Sequence, residues 1–350
     1  MLIFLSTFGG SKLKILLTVI VRHVATCNSV KKQINTNHNQ QIKFAIIYFE
    51  TGVKIKLFLK KYGNWNKRQT KHLKPHQIMS ENYSIINTDF VLKNEASILI
   101  SDLSIQRGYG VFDFFRTINN KPVFLEDHLD RFFYSASKMQ LDQHLNRIEI
   151  KQFVHQLIEK NNISDSGIRI TLTGGYSEDG YSLAKPNLLI TQSAFTFNTD
   201  IFNKGIKLIT FNHQRQLPSV KKIDYLMAIH LQPFIKSQNA DDVLYHHENE
   251  ITECPRSNFF MVNEKDEILT PSKNILKGIT RKNILSFSDL DVKETVVTLK
   301  DIKTAKEAFI TSTTKNVLPV FEIDGKTIGD GKPGRITSEI YKMVCKMKEG

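Results

Sequence analysis

Two adjacent lysines, Lys221 and Lys222, lie in the segment "LPSVKKIDYLMAIH" (217–230) and could do chemistry that few other residues can. A neutral lysine amine attacks carbonyl carbons, provided that rigid structure holds it in place. Pro218 marks a turn before the pair, and the apolar residues after it have helical spacing. The segment therefore predicts either a reactive amine at one of the two positions or two solvated surface charges.

Two other motifs contain residues that could bind an anion. Arg131 ends "HLDR" (128–131), and the planar donors of a guanidinium can pair with two phosphate oxygens at once. In "LKGITRKNIL" (276–285) a helix is predicted to begin near Thr280, and the free N–H groups at a helix start attract phosphate. Taken singly, the two motifs also fit an exposed helix arginine and a turn followed by a helix cap.

Five segments in this order make the sequence resemble the class IV pyridoxal-phosphate aminotransferases. That family includes branched-chain aminotransferases, D-amino acid aminotransferase and aminodeoxychorismate lyase. The segments are "QRGYGVFDFFRTINNKPVFLEDHLDRFFYSASKMQL" (106–141), "KKID" (221–224), "NEITECPRSNFF" (249–260), "LKGITRKNIL" (276–285) and "TSTTKNVLP" (311–319). The resemblance covers nearly all of 83–350 and none of 1–78. It implies fold type IV, a D-amino acid aminotransferase-like α+β fold with two α/β domains, and the cofactor pyridoxal 5'-phosphate (PLP).

The resemblance also implies which residues contact the cofactor. Lys221 would bond covalently to it, because "KKID" fits the family pattern K-x-(L/I)-(N/D) with Lys221 first, and Lys222 would then be a charged neighbour that lowers the pKa of Lys221. Glu253 would face the pyridine nitrogen and keep it protonated, and Tyr225 would contact the ring hydroxyl. The residues implied to hold the phosphate are Arg131, Ile279, Thr280, Ser312 and Thr313.

The substrate side is implied by the same resemblance. Phe112, Gly174 and Tyr181 are expected to face the substrate. D-amino acid aminotransferase and aminodeoxychorismate lyase carry an arginine where Gly174 falls, and the lyase has another near Asp179. The favoured function is therefore transfer of an amino group from a small α-amino acid, best a branched-chain L-amino acid, to a 2-oxo acid. A lyase that releases pyruvate and a non-catalytic PLP-binding protein are the alternatives.

The formal net charge of +13 is confined to the first 78 residues. They hold 14 lysines and arginines and one acid, Glu50, while the rest of the chain holds 34 basic and 34 acidic residues. The segment shows no clear helical or strand periodicity, and composition becomes ordinary at Met79. We predict that residues 1–78 are a basic extension outside the enzyme fold, with a start-site artefact as the leading explanation. A signal peptide over "ILLTVIV" (15–21) and a nucleic-acid arm near Trp65 are the alternatives.

Cysteine usage and hydropathy bear on compartment and partners. Cys27, Cys254 and Cys345 are far apart and form no CxxC pair, so the sequence predicts neither a disulfide framework nor a zinc site. No apolar run has the length that spans a bilayer. We expect a cytoplasmic protein that binds a small amino acid and a 2-oxo acid, without a metal, nucleic-acid or membrane partner. The resemblance implies a homodimer.

The elements that position these motifs form two predicted domains. A small α+β domain, 79–196, is expected to contain two amphipathic helices near 126–140 and 147–160. Its expected strands are "YSIIN", "SILISD", "KPVFLE", "GIRITLT" and "NLLITQS". In the larger PLP-binding domain, 203–350, the expected strands are "IKLITF", "DVLYH", "NFFMVN", "EILTP", "ETVVTL" and "EAFITS", and the expected helices are at about 225–237, 280–287, 301–307 and 334–348.

Overall fold

The computed structural model describes residues 82–142, 144 and 146–349, together with the backbone of three strands nearer the N-terminus. The chain divides into two compact units, Met1–Ile78 and Met79–Gly350. Within the described residues, no helix has both the length and the apolar character needed to cross a membrane.

The three strands of the first unit are β1 (Val30–Gln33), β2 (Ile42–Phe49) and β3 (Lys54–Lys60), and they form an antiparallel sheet in the order β1-β2-β3. This sheet departs from the sequence analysis, which found no strand periodicity here. The sequence of β2, "IKFAIIYF", is rich in β-branched and aromatic residues, which favour strands. The proposed signal-peptide segment 15–21 and the cluster near Trp65 lie outside the described residues.

A six-stranded antiparallel sheet, in the order β5-β4-β9-β8-β6-β7, begins the second unit. Its strands are β4 (Tyr83–Ile86), β5 (Asp89–Leu92), β6 (Gly110–Ile118), β7 (Lys121–Pro122), β8 (Ser166–Thr173) and β9 (Leu188–Ala194). The accompanying helices are α1 (Leu103–Arg107), α2 (Leu125–Lys138) and α3 (Arg147–Asn161). Helices α2 and α3 confirm the two predicted amphipathic helices. They bury Leu129, Phe132 and Val154 in one core cluster with residues of the sheet.

A ten-stranded mixed sheet follows, in the order β12-β11-β10-β18-β17-β14-β15-β16, with β13 paired to β14 and β19 to β18. Its strands are β10 (Ile206–Asn212), β11 (Asp242–His247), β12 (Glu250–Ile251), β13 (Glu253–Cys254), β14 (Ser257–Val262), β15 (Ile268–Pro271), β16 (Val292–Thr295), β17 (Glu307–Ser312), β18 (Asn316–Ile323) and β19 (Lys326–Thr327). Its helices are α4 (Ile201–Lys204), α5 (Leu226–His230), α6 (Gln232–Ser237), α7 (Ile279–Leu285), α8 (Leu299–Ile302) and α9 (Arg335–Glu349). Strand β10 runs parallel to β11 and β18, and β15 runs parallel to β16.

Alternate residues of β14 and β17 are buried on opposite faces of this sheet, as the period of a strand requires. Phe259 and Ile310 belong to one core cluster. Phe260 and Phe309 stack with their ring centroids 4.9 Å apart in another cluster, which includes Ile340 of α9. One sheet lies within 79–196 and the other within 203–350, but the division into two domains stays a prediction, because Met79–Gly350 forms one compact unit.

Three predicted elements are wrong for local reasons. The segment "SILISD" is not a strand: it ends in the N-cap of α1, where the Asp102 carboxylate accepts the Ser104 N–H at 2.8 Å. The strand predicted over "KPVFLE" is only Lys121–Pro122, because α2 begins at Leu125. The helix expected at 225–237 is two helices that meet at Leu231, and Pro233 explains the break because it lacks the N–H that would continue the hydrogen-bond ladder.

Two differences lie near the end of the chain. The predicted helix 301–307 is the single turn α8, and its N-cap Thr298 ends the extended segment "ETVVTL" early. Strand β18 was not predicted, because its start was assigned to the polar loop "TSTTKNVLP". Its hydrogen-bonded place between β10 and β17 makes it a central strand in spite of Pro319.

Candidate active site

One large pocket of about 860 Å³ brings most of the predicted site residues together. That volume is in the range of small-molecule and cofactor sites. The predicted residues that line the pocket are Phe112, Arg131, Lys221, Tyr225, Glu253, Ile279, Thr280, Ser312 and Thr313. They come from both sheets and from the segment between β10 and α5, so the pocket lies where these parts of the chain meet.

Gly174 and Tyr181, which were predicted at the substrate side, do not line this pocket. Gly174 is closely packed, since a Cβ atom there would lie 2.9 Å from side-chain atoms of Leu103 and 3.2 Å from Tyr109. Tyr181 is 82% exposed, in a turn where the Asp179 carboxylate accepts its backbone N–H at 2.8 Å. Neither residue lines the pocket, and a contact of either one with the substrate stays a prediction.

Backbone hydrogen bonds fix the position of the two lysines. The Phe112 N–H donates to the Lys221 carbonyl at 2.9 Å, and the Ile223 N–H donates to the Gly110 carbonyl at 3.1 Å. The Lys221 N–H also donates to the Ser135 hydroxyl of α2 at 3.2 Å. Lys221 is thus anchored to β6 and α2 before the chain enters α5, which supplies the rigid support that a reactive amine needs.

The amine of Lys221 lies in an environment that favours its neutral form. Its Nζ atom is 4.6 Å from the centroid of the Phe112 ring. Removal from water lowers the pKa of Lys221 to about 7, and the positive charges of Arg131 and Arg215 add to this effect. Lys222 Nζ instead lies 3.4 Å from an Asp224 oxygen. The main cationic neighbours of the amine are therefore the two arginines, and not Lys222 as the sequence analysis expected.

This pKa predicts how the amine of the cofactor-free protein responds to pH. Since only the neutral amine is a nucleophile, reductive methylation of Lys221 should accelerate as the pH rises through about 7 and level off above it. Ordinary surface lysines titrate near pH 10.4 and should still be accelerating there. Mass spectrometry of peptides from a pH series gives the rate at each site. A Lys221 profile that follows the surface lysines would contradict the prediction.

Glu253 is a buried carboxylate of the pocket, with 4% of its surface exposed. It accepts the Arg215 Nε–H at 2.7 Å through one oxygen and the Leu276 N–H at 3.0 Å through the other. Burial raises the pKa of Glu253, while Arg215 and the Leu276 N–H counteract the rise. These contacts fix the direction in which the carboxylate points, so it presents negative charge at one defined place in the pocket.

The pocket also has groups suited to an anion. Arg131 reaches it from α2, and Thr280 and Thr313 contribute hydroxyl groups. Gly278 is the N-cap of α7 and has no side chain to cap the first N–H groups of that helix. A Cβ atom at Gly278 would lie 2.2 Å from the Asn258 amide oxygen, so only glycine fits this close approach. The arrangement places positive charge and hydrogen-bond donors together.

Residues 110–323 match the protein family described as amino-transferase class IV, which is more than half of the chain. The chain belongs to this family. Class IV aminotransferases are PLP-dependent enzymes of fold type IV, so the two sheets and the pocket between them are those of a PLP aminotransferase.

Individual relatives of this class IV aminotransferase agree with the family match. D-alanine aminotransferase of Staphylococcus haemolyticus is 31% identical over 266 residues, which cover 73% of this chain and 94% of that protein. D-alanine aminotransferase of Listeria monocytogenes is 30% identical over 271 residues, with coverage of 74% and 93%. The crystal structure of the Escherichia coli branched-chain amino acid aminotransferase has a TM-score of 0.71 at 20% identity, over 77% of this chain and 95% of that chain. This last likeness shows the fold.

The pocket of the class IV aminotransferase fits PLP. Ser257 and Thr311 line it with buried hydroxyl groups that have no hydrogen-bond partner among the described residues. Buried polar groups without partners are costly, so a polar ligand is expected to satisfy them. Arg131 and the hydroxyl groups of Thr280 and Thr313 could hold its phosphate, and Lys221 could supply the primary amine for its aldehyde. In the part of the chain that the structure describes, no three His, Cys, Asp or Glu side chains cluster as metal ligands.

Two arginines in the pocket were missed by the sequence analysis. Arg215 pairs with Glu253, as described above. Arg169 of β8 lies with its guanidinium carbon 4.0 Å from the Phe112 ring centroid, and burial lowers its pKa. Among the described residues, no carboxylate forms an ion pair with Arg169. Neither arginine stands in a motif that the sequence analysis used; for Arg169 the signal was a lone charged residue in the apolar strand "GIRITLT".

Proposed function

We propose that this aminotransferase moves the amino group of a small α-amino acid to a 2-oxo acid, with Lys221 as the residue that bonds to PLP. The observation that carries the proposal is one pocket that combines an amine of depressed pKa, a buried carboxylate and an anion-binding end. This combination gives the reaction a nucleophile, a charge for the cofactor ring and an anchor for the phosphate.

Each of these pocket residues is proposed to act on a different part of the cofactor or substrate. When bound, PLP acts as an electron sink for the α-carbon of the substrate. Lys221 Nζ takes the proton from that carbon and returns it later, which requires the neutral amine that burial favours. The Glu253 carboxylate would face the ring nitrogen, and Tyr225 would contact the ring hydroxyl. The phosphate contacts are proposed for Arg131, Ile279, Thr280, Ser312 and Thr313.

D-alanine is the first amino donor to consider. Relatives named D-alanine aminotransferases are 30–31% identical to this chain and are covered over nearly their whole length. A branched-chain L-amino acid is the second candidate. It is favoured by the aromatic wall of Phe112 and Tyr225, whose ring centroids are 6.0 Å apart. A cytoplasmic homodimer also belongs to the proposal.

A panel of donors and acceptors tests the proposed function. The full chain, reconstituted with PLP, is assayed with D- and L-alanine and with L-leucine, L-valine and L-isoleucine, using 2-oxoglutarate or pyruvate as acceptor. Formation of the 2-oxo acid from D-alanine supports the first candidate, and from L-leucine the second. Release of pyruvate from aminodeoxychorismate without an acceptor would select the lyase instead. Inactivity with every substrate would favour a protein that only binds PLP.

Arg169 is expected to bind the substrate carboxylate. It lines the pocket, contacts the same Phe112 ring as Lys221, and has no carboxylate partner of its own within the described residues. Arg169→Met should therefore raise the KM of both amino and oxo substrates roughly 10- to 100-fold, the range of one lost charge-assisted pair. The affinity for PLP should change little. Steady-state kinetics measures the effect.

Arg335→Met is the matched control for this substitution. Arg335 lies on α9 with its side chain 70% exposed and pairs with Glu339 one helical turn away. Its loss should leave KM unchanged, since exposed pairs contribute little. An unchanged KM in Arg169→Met would remove Arg169 from the substrate site and leave the carboxylate to another cation.

A further inference from the structure

Asp113 is a fully buried carboxylate in β6 that does not line the pocket itself. It lies between the pocket residue Arg131 and the buried His128, which both come from α2. Strand β6 and helix α2 are therefore joined through this one side chain. A buried charge is costly unless it is paired and hydrogen-bonded, so a carboxylate at this place needs a reason.

The geometry around Asp113 uses both of its oxygens. Arg131 donates Nε–H to one oxygen and Nη2–H to the other, each at 2.8 Å. His128 Nδ1 lies 2.7 Å from the second oxygen, and donates to it because an ionised carboxylate only accepts. The Phe114 N–H donates to the same oxygen at 2.8 Å. Burial alone would raise the pKa of Asp113, but Arg131 and His128 hold it well below its usual range.

This contact determines what Arg131 can offer to the pocket. A two-point contact through Nε and Nη2 fixes the plane of the guanidinium. Nη1 takes no part in it, so its two N–H groups stay available. An arginine side chain otherwise has many rotamers, and ordering it costs conformational entropy. With Asp113 in place, that ordering is complete before a ligand arrives.

We propose that Asp113 is the positioning residue that holds Arg131 ready for the cofactor phosphate. This inference rests on the proposed role of Arg131 and adds to it a residue that never touches the cofactor. The competing explanation is purely structural: Asp113 joins β6 to α2, and its loss would weaken every function of the pocket alike. The two explanations differ in whether the loss is specific for the phosphate.

Comparison of PLP with pyridoxal, which lacks the phosphate, makes that distinction. Asp113→Asn keeps the shape of the side chain and removes its charge. Equilibrium dissociation constants of both compounds are measured on the cofactor-free full chain by absorbance. Wild type should prefer PLP by well over tenfold, and Asp113→Asn should reduce this preference at least about tenfold by weakening PLP alone. Equal weakening of both compounds, or tighter PLP binding after the negative charge is removed, would overturn the proposal.

Controls separate this inference from folding and from the proposed function. Asp130→Asn makes the same chemical change on α2, at a side chain that is 62% exposed, and should keep the full preference. Asp113→Glu retains the charge and should keep more of the preference than Asp113→Asn; if Asp113→Asn does not fold, an Asp113→Glu protein that lost the preference completely would count against the proposal. A wild type that bound PLP and pyridoxal equally would instead refute the proposed phosphate site.

Discussion

Lys221→Met is expected to reduce transamination by at least about 10³-fold, which is the largest effect of any single substitution in this protein. The variant loses two functions at once: the covalent bond to PLP and the base that moves the proton of the α-carbon. Proton transfer by a positioned side chain alone contributes roughly 10²–10⁴-fold to enzymatic rates. Methionine has nearly the same length and tolerates a half-buried position, so the pocket should keep its shape.

Single-turnover and steady-state kinetics with the best donor of the panel measure this loss. Lys222→Met is the neighbouring comparison, because Lys222 faces Asp224 and is expected to be dispensable for proton transfer. Borohydride reduction of the wild-type holoenzyme followed by peptide mapping should place the cofactor label on Lys221. A label on Lys222, together with an active Lys221→Met variant, would show that the two lysines have been assigned the wrong way round.

The sequence could predict the residues of the pocket that lie inside short motifs. Lys221, Glu253 and Thr280 each stand in a short segment that resembles a family motif, "KKID" (221–224), "NEITECPRSNFF" (249–260) and "LKGITRKNIL" (276–285), so the sequence alone is enough to find them. The pocket then brings them together, as predicted. The choice of Lys221 over Lys222 remains a prediction, although the backbone contacts with β6 and α2 support it.

Residues whose contacts depend on distant segments of the chain coming together could not be predicted from sequence motifs. Arg215 and Glu253 are 38 residues apart, and no local pattern links them. Arg169 reaches Phe112 because β8 pairs with β6, a pairing set by the hydrophobic faces of both strands. Asp113 stands inside the quoted segment 106–141 and was assigned no role, because its contacts with α2 depend on how that helix packs on the sheet.

The predicted helices and strands also differ in accuracy, depending on whether the element is determined by its own sequence or by its neighbours in the fold. Helices α2 and α3 were predicted within a few residues because each has an amphipathic pattern over about four turns. Strand β18 was missed because its strand character comes from its neighbours β10 and β17 rather than from its own polar start. Gly174 and Tyr181 do not line the pocket: Gly174 is packed against Leu103 and Tyr109, and Tyr181 lies in the turn held by Asp179.

Glu253→Gln is expected to lower kcat by roughly 10²–10³-fold, the usual cost of removing one preorganised charge from an active site. An amide keeps the shape, and its single oxygen can still accept the Arg215 hydrogen bond, but its NH2 group cannot accept the Leu276 N–H, so the change removes the charge and one acceptor. Without the carboxylate, the ring nitrogen of the cofactor loses the partner that favours its protonated form. The affinity for PLP should fall much less than kcat, because the phosphate contacts are untouched.

The split between kcat and PLP affinity distinguishes an electronic role for Glu253 from a structural one. Glu339→Gln, at an exposed position of α9, provides the same chemical change without an expected effect on either quantity. If Glu253 only held Arg215 in place, Glu253→Gln would retain most of its activity, since a glutamine oxygen also accepts from that arginine. A large loss of kcat in a folded, PLP-loaded variant would therefore show that the reaction needs a negative charge at the ring nitrogen. Near-normal turnover would show that it does not need the charge of Glu253. Because burial raises the pKa of Glu253, the need for an ionised carboxylate also predicts that wild-type kcat falls as the pH drops toward that pKa. The glutamine variant should lack this contribution and keep only the fall caused by protonation of Lys221.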